Sequence, residues 1–377
     1  MRIGYDAKRM FHNWRGLGNY SRELVTGLKY FYPENEYLLF TPPFNDERGF
    51  NFKKDFGEDK VITPIGFLDN QFPSIWRRNL VTELKKNKIE LFHGLSHEVP
   101  YGLKKNGIKS IVTIHDLIFI RYPEYFPWID RKVYLSKIKH AIREVDLIIA
   151  ICEQTKNDLI NFLNVPAEKI RVCYQSCHEQ YQNGPVDSHQ INLIKSKYGL
   201  ERDYFLFVGA FEARKNILNL IEGMSYFGTS KDLVIVGREN SFKMEIDLKI
   251  RQMNLENTAR VLTNVPTEDL PALYSGAEIF CFPSFFEGFG IPIIEAMFCE
   301  TPVLTSHGSC FPEVAGEGAF YVDPESPFQI GKALYELTKN PELLSRLKKG
   351  ASKQVKKFTS QKTNKELYKV YLEIMSS

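Results

Sequence analysis

Two glutamates separated by seven residues, Glu287 and Glu295, bracket the turn Gly288-Phe289-Gly290 and the segment Ile291-Pro292-Ile293-Ile294. The run follows an apolar, strand-like stretch at 279–282, and Pro292 suits the first turn of a helix. Glu287 then belongs to a loop and Glu295 to a helix, so the two carboxylates reach different parts of one extended ligand. A carboxylate can accept hydrogen bonds from two vicinal hydroxyls. The backbone amides of Phe289, Gly290 and Ile291 are placed to suit a diphosphate.

A second group points to the same kind of ligand. In Phe207-Val208-Gly209-Ala210-Phe211-Glu212-Ala213-Arg214-Lys215-Asn216 a strand runs into a glycine turn, and two adjacent cations precede a helix at 217–224. Cations at a helix N-terminus oppose the helix dipole. An anion resolves that conflict, with Arg214 offering a planar fork and Lys215 a point charge. Nearer the start, Arg15-Gly16-Leu17-Gly18-Asn19-Tyr20 opens a helix after a strand at 2–6. Gly16 and Gly18 permit close backbone approach, and helix N–H groups suit phosphate. The third glycine of the dinucleotide fingerprint is missing, and the loop 7–14 is too long for its tight turn. In Thr113-Ile114-His115-Asp116 the histidine stands just past a β-prone run, where sites collect; a hydrogen-bonded structural histidine is the competing reading.

These residues need a scaffold that alternates strand and helix. Apolar β-type runs recur at 2–6, 37–41, 90–93, 110–115, 147–151 and 171–174. They resume at 204–208, 233–236, 260–262, 279–282, 302–305 and 319–322, with helical stretches between them. That pattern predicts parallel sheets covered by helices on both faces, and so two Rossmann-like, doubly wound α/β domains. The polar stretch 175–189, with Asn183-Gly184-Pro185 at its centre, is the linker candidate. The expected organisation is an N-terminal domain over 1–182 and a second domain over 190–355. A helix at 356–377 is expected to pack back on the first domain. In such a pair the expected binding place is the cleft where the domains face each other.

At 377 residues and 43% apolar, the chain is too long for one comfortable core and too apolar for disorder. It holds no apolar run long enough to span a bilayer, and the N-terminal segment shows no secretory h-region, so a cytoplasmic location is expected. Six cysteines lie scattered, several in apolar runs, as free buried thiols would. Cys173-x3-Cys177-His178 has no second pair nearby, so no metal site is expected. The net charge of +3 hides an asymmetry. Residues 1–175 hold 27 Lys and Arg against 21 Asp and Glu, while residues 176–377 hold 22 against 25. The basic excess gathers at 77–88 and 131–143, either as solvated helix faces or as a peripheral contact with an anionic membrane face. No nucleic-acid partner is expected.

Together these motifs resemble the retaining GT-B glycosyltransferases of family GT4, which include bacterial mannosyl-, glucosyl- and rhamnosyltransferases. The resemblance covers nearly the whole chain and rests most on Glu287-x7-Glu295. It is reinforced by Thr305-Ser306-His307-Gly308-Ser309, Pro312-Glu313-Val314-Ala315-Gly316 and Val322-Asp323-Pro324. It implies that Arg214 and Lys215 hold the diphosphate of a nucleotide-sugar donor and Glu287 binds the donor sugar's hydroxyls. The amides of Phe289, Gly290 and Ile291 would lie near sugar and phosphates, and Glu295 would bind the ribose. Gly16 would let the first-domain loop close on the phosphates, with Gly18 also among the donor-binding residues; His115 would line the donor sugar and the acceptor side, and Val265 and Leu270 would contact the nucleoside. Many members carry an arginine where this chain has Ala210, so Arg214 must supply the second cation.

The resemblance implies transfer of a sugar, with retention and without a metal or other cofactor, to a saccharide or lipid-linked saccharide in cell-surface polysaccharide synthesis. The loops near 67–78 and 93–100 would take the acceptor. The opening glycine run and Glu212-Ala213-Arg214-Lys215-Asn216 lean towards GDP-mannose, with UDP-glucose, UDP-GlcNAc and dTDP-rhamnose open. The competing readings are another enzyme on the fold, such as a sugar-nucleotide epimerase or a phosphorylase, and a non-catalytic binding module. The incomplete glycine fingerprint disfavours a dehydrogenase.

Overall fold

The structure, a computed structural model, describes residues 1–14, 16–64, 72–228 and 230–376. Arg15 and residues 67–71 of the expected acceptor loop therefore lie outside the described residues. The chain divides into two compact units. One comprises Met1–Ser176 with Ser360–Ser377, the other Cys177–Thr359.

The first unit is built on a seven-stranded parallel sheet in the order β3-β2-β1-β4-β5-β6-β7. Its strands are β1 (Arg2–Asp6), β2 (Glu36–Phe40), β3 (Val61–Ile62), β4 (Leu91–Gly94), β5 (Lys109–Ile114), β6 (Leu147–Ala150) and β7 (Ile170–Val172). Side chains alternate between two apolar layers. Ile3, Tyr5, Leu91, Ile111 and Ile149 enter one; Phe92, Val112, Ile114 and Ile148 enter the other. A sheet buried on both faces must be apolar along its whole length, which is why these strands read as continuous runs.

The helix Ser360–Ser376 completes one of those layers with Leu367, Val370, Tyr371 and Ile374. Its Tyr371 hydroxyl lies 2.6 Å from Nδ1 of His93, whose Nε2 lies 2.8 Å from the Thr113 hydroxyl. The Tyr368 ring stacks on Tyr32 with centroids 3.7 Å apart.

The second unit carries a six-stranded parallel sheet in the order β10-β9-β8-β11-β12-β13. Its strands are β8 (Tyr204–Val208), β9 (Asp232–Gly237), β10 (Ala259–Thr263), β11 (Ile279–Phe282), β12 (Val303–Ser306) and β13 (Ala319–Val322). Both sheets are doubly wound, with the strand order reversing beside β1 and beside β8.

Three local features differ from the sequence reading. The loop expected at 7–14 contains a helix, Lys8–His12, because Met10 and Phe11 are apolar enough to be buried under the sheet. The segment 175–189 is not a bare linker: helix Glu179–Gln182 lies in it, and Tyr181 packs edge-on against Tyr274 at 5.8 Å. The units accordingly divide after Ser176, not at 182. They divide again after Thr359, since Phe358 is buried against Phe289 in the second unit. Among the described residues, no helix is long and apolar enough to cross a membrane. All six cysteines are buried, and none is joined in a disulfide.

Candidate active site

In the second sheet the order reverses between β8 and β11, and open α/β sheets bind ligands beyond strand carboxyl ends at such a point. Both strands deliver candidate residues there. β8 runs into the 3₁₀ turn Ala213–Lys215, and β11 runs into the loop 283–290. Arg214 Nη1 lies 2.8 Å from one oxygen of Glu287, and Lys215 Nζ lies 2.6 Å from the other. Residues 72 positions apart in sequence thus meet on one carboxylate.

The backbone around that carboxylate is fixed on several sides. Arg214 Nη1 also donates to the Phe286 carbonyl at 2.7 Å, and the Phe285 N–H donates to the Arg214 carbonyl at 3.0 Å. The Ser309 hydroxyl accepts from the Glu287 N–H at 3.1 Å and donates to the Glu287 carbonyl at 2.9 Å. Asn216, in the left-handed region at φ 60°, donates its amide to the carbonyls of Pro283 (2.9 Å) and Pro324 (2.8 Å). The Lys215 ammonium stands 5.0 Å from the Phe282 ring centroid. Such a cage orients the cations before any ligand arrives.

Glu287 is only 7% exposed. Burial alone would raise its carboxyl; the charges of Arg214 and Lys215 outweigh it and hold the group down at about 2. Glu212, 3.2 Å from Arg214, is half-exposed and solvated. The buried part of the cluster is therefore two cations on one anion, a local excess of positive charge.

Two residues past Glu287 stands Phe289, whose ring packs on Phe358 at 5.6 Å and whose carbonyl accepts from Cys310 Sγ at 3.0 Å. Gly290 then turns the chain at φ +90°, a conformation that a side chain disfavours, and opens the helix Ile291–Phe298. Among the described residues no side chain caps this helix, so its first N–H groups have no side-chain acceptor there. Glu295 lies a turn further in. The Tyr274 hydroxyl donates to its Oε2 at 2.8 Å. Burial raises the Glu295 carboxyl to about 7, with the Tyr274 hydrogen bond pulling it back. Leu270 opens the helix Leu270–Ser275 that carries Tyr274, and half-buried Val265 precedes it.

The remaining candidates lie in the first unit. Gly16 is exposed at the start of helix Gly16–Phe31. Gly18 is buried against its own chain: a Cβ there would stand 1.6 Å from the Asn13 carbonyl oxygen and 2.7 Å from that of Arg9. The close approach at Gly18 is therefore to helix Lys8–His12 and the residue after it, not to a ligand. His115 follows β5 and is buried. Its Nε2 lies 2.9 Å from the Leu95 carbonyl and its Nδ1 2.9 Å from the Gln175 amide nitrogen. A carbonyl only accepts, so Nε2 carries the proton and Nδ1 accepts from Gln175. Burial, helped by His97, lowers His115 to about 3, so it stays neutral. Both ring nitrogens being engaged, this arrangement offers positioning and no proton transfer.

Sequence reasoning passed over Tyr274, Ser309 and Asn216 as working parts. Asn216 carried a signal, since an asparagine closing a turn before a helix tolerates the left-handed region; Ser309 stood in a quoted motif without a role of its own, and Tyr274 carried no signal. Among the described residues, no group of three or more His, Cys, Asp or Glu is placed to hold a metal ion.

Known proteins share this architecture. Residues 190–354 match the model for glycosyl transferases group 1, and residues 14–176 match glycosyltransferase family 4. The chain is a glycosyltransferase of the GT-B fold, related to these two families. It is 29% identical over 338 residues to O-antigen chain mannosyltransferase B of Escherichia coli, covering 86% of this chain and 87% of that one. It is 30% identical to O-antigen chain mannosyltransferase RfbU of Salmonella typhimurium over 62% of each chain. Sucrose-phosphate synthase from Thermosynechococcus elongatus superposes with a TM-score of 0.80 at 19% identity, covering 100% of this chain and 99% of that one.

Proposed function

We propose that the protein is a retaining, metal-independent hexosyltransferase. It would move mannose from GDP-mannose to a lipid-linked saccharide during cell-surface polysaccharide synthesis, at the cytoplasmic face of the inner membrane. The observation that carries the donor assignment is the caged Arg214–Lys215–Glu287 cluster, with its local positive charge, beside the uncapped helix start at Gly290. The choice of mannose rests on relatives named as O-antigen mannosyltransferases.

In this reading Arg214 and Lys215 stabilise the charge that builds on the diphosphate as the anomeric carbon–oxygen bond breaks. Glu287, held ionised, accepts bonds from the sugar hydroxyls, and the amides from Phe289 to Ile291 cradle sugar and phosphates. Glu295 takes the ribose hydroxyls, with Val265 and Leu270 against the nucleoside. The acceptor oxygen bonds to the anomeric carbon on the face the diphosphate leaves, and its proton passes to the leaving phosphate. No pair of protein carboxylates acting as acid and base is then required. Gly16, exposed at a helix start, remains the proposed first-unit contact to the phosphates, and His115, neutral, orients the loop carrying Leu95.

Thermal-shift screening against GDP, UDP and dTDP sugars tests the donor, with GDP-mannose expected to stabilise most. Lys215→Ala should lower transfer by about 10²–10³-fold, the effect of removing one electrostatic stabiliser of the transition state. Full activity in that variant sinks the phosphate assignment.

A further inference from the structure

The first unit holds a pocket of about 300 Å³ that has no part in the chemistry above. Arg78 reaches it from helix Pro73–Arg78, and Tyr101 from the segment after β4. Helix Trp128–Glu144 supplies Lys132, Val133, Lys137 and His140 from one face. His140 Nε2 is buried without a hydrogen-bond partner among the described residues, while its ring lies 3.8 Å from the Tyr101 ring.

The nearby acids are already taken. Glu98, itself in the pocket wall, is neutralised by Lys137 at 2.8 Å and by Arg77 at 3.4 Å; Arg77 also pairs with Asp6, and Glu144 accepts from the Gly102 N–H at 3.1 Å. Among the described residues no carboxylate pairs with Arg78 or Lys132, and the Lys132 ammonium lies over the Trp128 ring at 4.6 Å. Two uncompensated cations and an orphaned imidazole nitrogen therefore share one concave site, a combination that suits a phosphate.

The same helix face continues past the pocket. One turn before Lys132 and Val133 stand Trp128 and Ile129, 58% and 57% exposed, and Val133 itself is 44% exposed. A polar, cationic hollow thus opens directly onto an apolar strip. The pocket is at the lower end of ligand-site volumes, so it admits a head group and leaves an attached chain outside.

We propose that this pocket binds the phosphate ester of the lipid that carries the acceptor saccharide, with Arg78, Lys132 and His140 on the phosphate and the lipid chain along Val133, Ile129 and Trp128. The proposal rests on the lipid-linked acceptor reading and commits to a single-chain lipid phosphate, because the apolar strip is one helix face wide; farnesyl phosphate serves as the probe. A glycerophospholipid headgroup shares the phosphate chemistry, and the test separates the two.

The full chain is titrated by calorimetry with farnesyl phosphate, farnesol, inorganic phosphate and dihexanoyl phosphatidylglycerol, and separately with GDP. Farnesyl phosphate should bind at least tenfold more tightly than the other three lipid-side probes. Arg78→Ala/Lys132→Ala should weaken it tenfold or more with GDP affinity unchanged, which also reports an intact fold. Val133→Asn, which removes apolar surface without adding charge, should weaken farnesyl phosphate while leaving inorganic phosphate unaffected. Undiminished binding to the double variant, or equal binding of phosphatidylglycerol or of inorganic phosphate, overturns the proposal. GDP binding without farnesyl phosphate binding overturns the pocket and spares the donor reading. Farnesyl phosphate binding without GDP binding supports the pocket and overturns that reading.

Discussion

Replacing Glu287 with glutamine keeps the shape of the side chain and removes its charge, leaving Arg214 and Lys215 side by side without their shared anion. The carboxyl is lowered from 4.5 to about 2, and each unit corresponds to about 1.4 kcal/mol, so ionisation favours the folded state by about 3 kcal/mol. Breaking a buried ion pair on one side typically costs about 3–5 kcal/mol, in line with that figure. For a unit of this size, melting should fall by about 6–12 °C at pH 7, given about 2–4 °C per kcal/mol. The folded value lies below the unfolded one, so the wild-type advantage is complete above pH 4.5 and disappears as pH falls towards 2. Calorimetric melting of both proteins at pH 7 and pH 3 reads this directly, with the gap shrinking at the lower pH. GDP should stabilise Glu287→Gln more than wild type, because a diphosphate then replaces the missing anion, while transfer drops. A gap below 2 °C at pH 7, or one that does not change with pH, would refute the cluster electrostatics.

Other consequences can be checked separately. Gly18→Ala drives a methyl into the Asn13 carbonyl and should destabilise the first unit by about 1–3 kcal/mol or more in urea unfolding; an unchanged midpoint removes the packing argument. If ionised Glu295 holds the ribose, GDP affinity falls as pH drops through about 7. Tyr274→Phe, losing the hydroxyl that favours the ionised form, should move that midpoint upward in calorimetric titrations; an unmoved midpoint contradicts the assignment. Tyr371→Phe strips His93 Nδ1 of its buried partner and should cost about 1–3 kcal/mol, read from hydrogen exchange in β4 and β5. Equal protection in both proteins tells against it.

The twelve anticipated strands are all present; most are buried apolar runs, and the half-exposed edge strands β7, β10 and β13 still carry a β-prone apolar core of their own. β3 escaped because two residues at a sheet edge carry no periodicity of their own. Helix Lys8–His12 escaped because its apolar pair, Met10 and Phe11, is too short to show a helical repeat. In the site, the types and local spacing of Arg214, Lys215, Glu287 and Glu295 were legible, since the first three lie in the turns that follow β8 and β11 and Glu295 lies in the helix that the second turn opens. Their mutual contacts were not, because the β8–β11 neighbour relation that joins them is a property of strand order. The hydrogen bonds that engage His115 come from Leu95 and Gln175, twenty and sixty residues away, and no pattern near position 115 announces them.

The helix Ser360–Ser376 belongs to the first unit yet follows the second in sequence. During synthesis, then, the first unit emerges without the wall that Leu367, Val370, Tyr371 and Ile374 provide. The second unit is continuous and can close as soon as it leaves the ribosome. At about 5–20 residues per second, the earlier unit waits roughly 10–40 s with an apolar layer uncovered. The part made first is finished last, and its nascent form carries an open apolar layer over that interval.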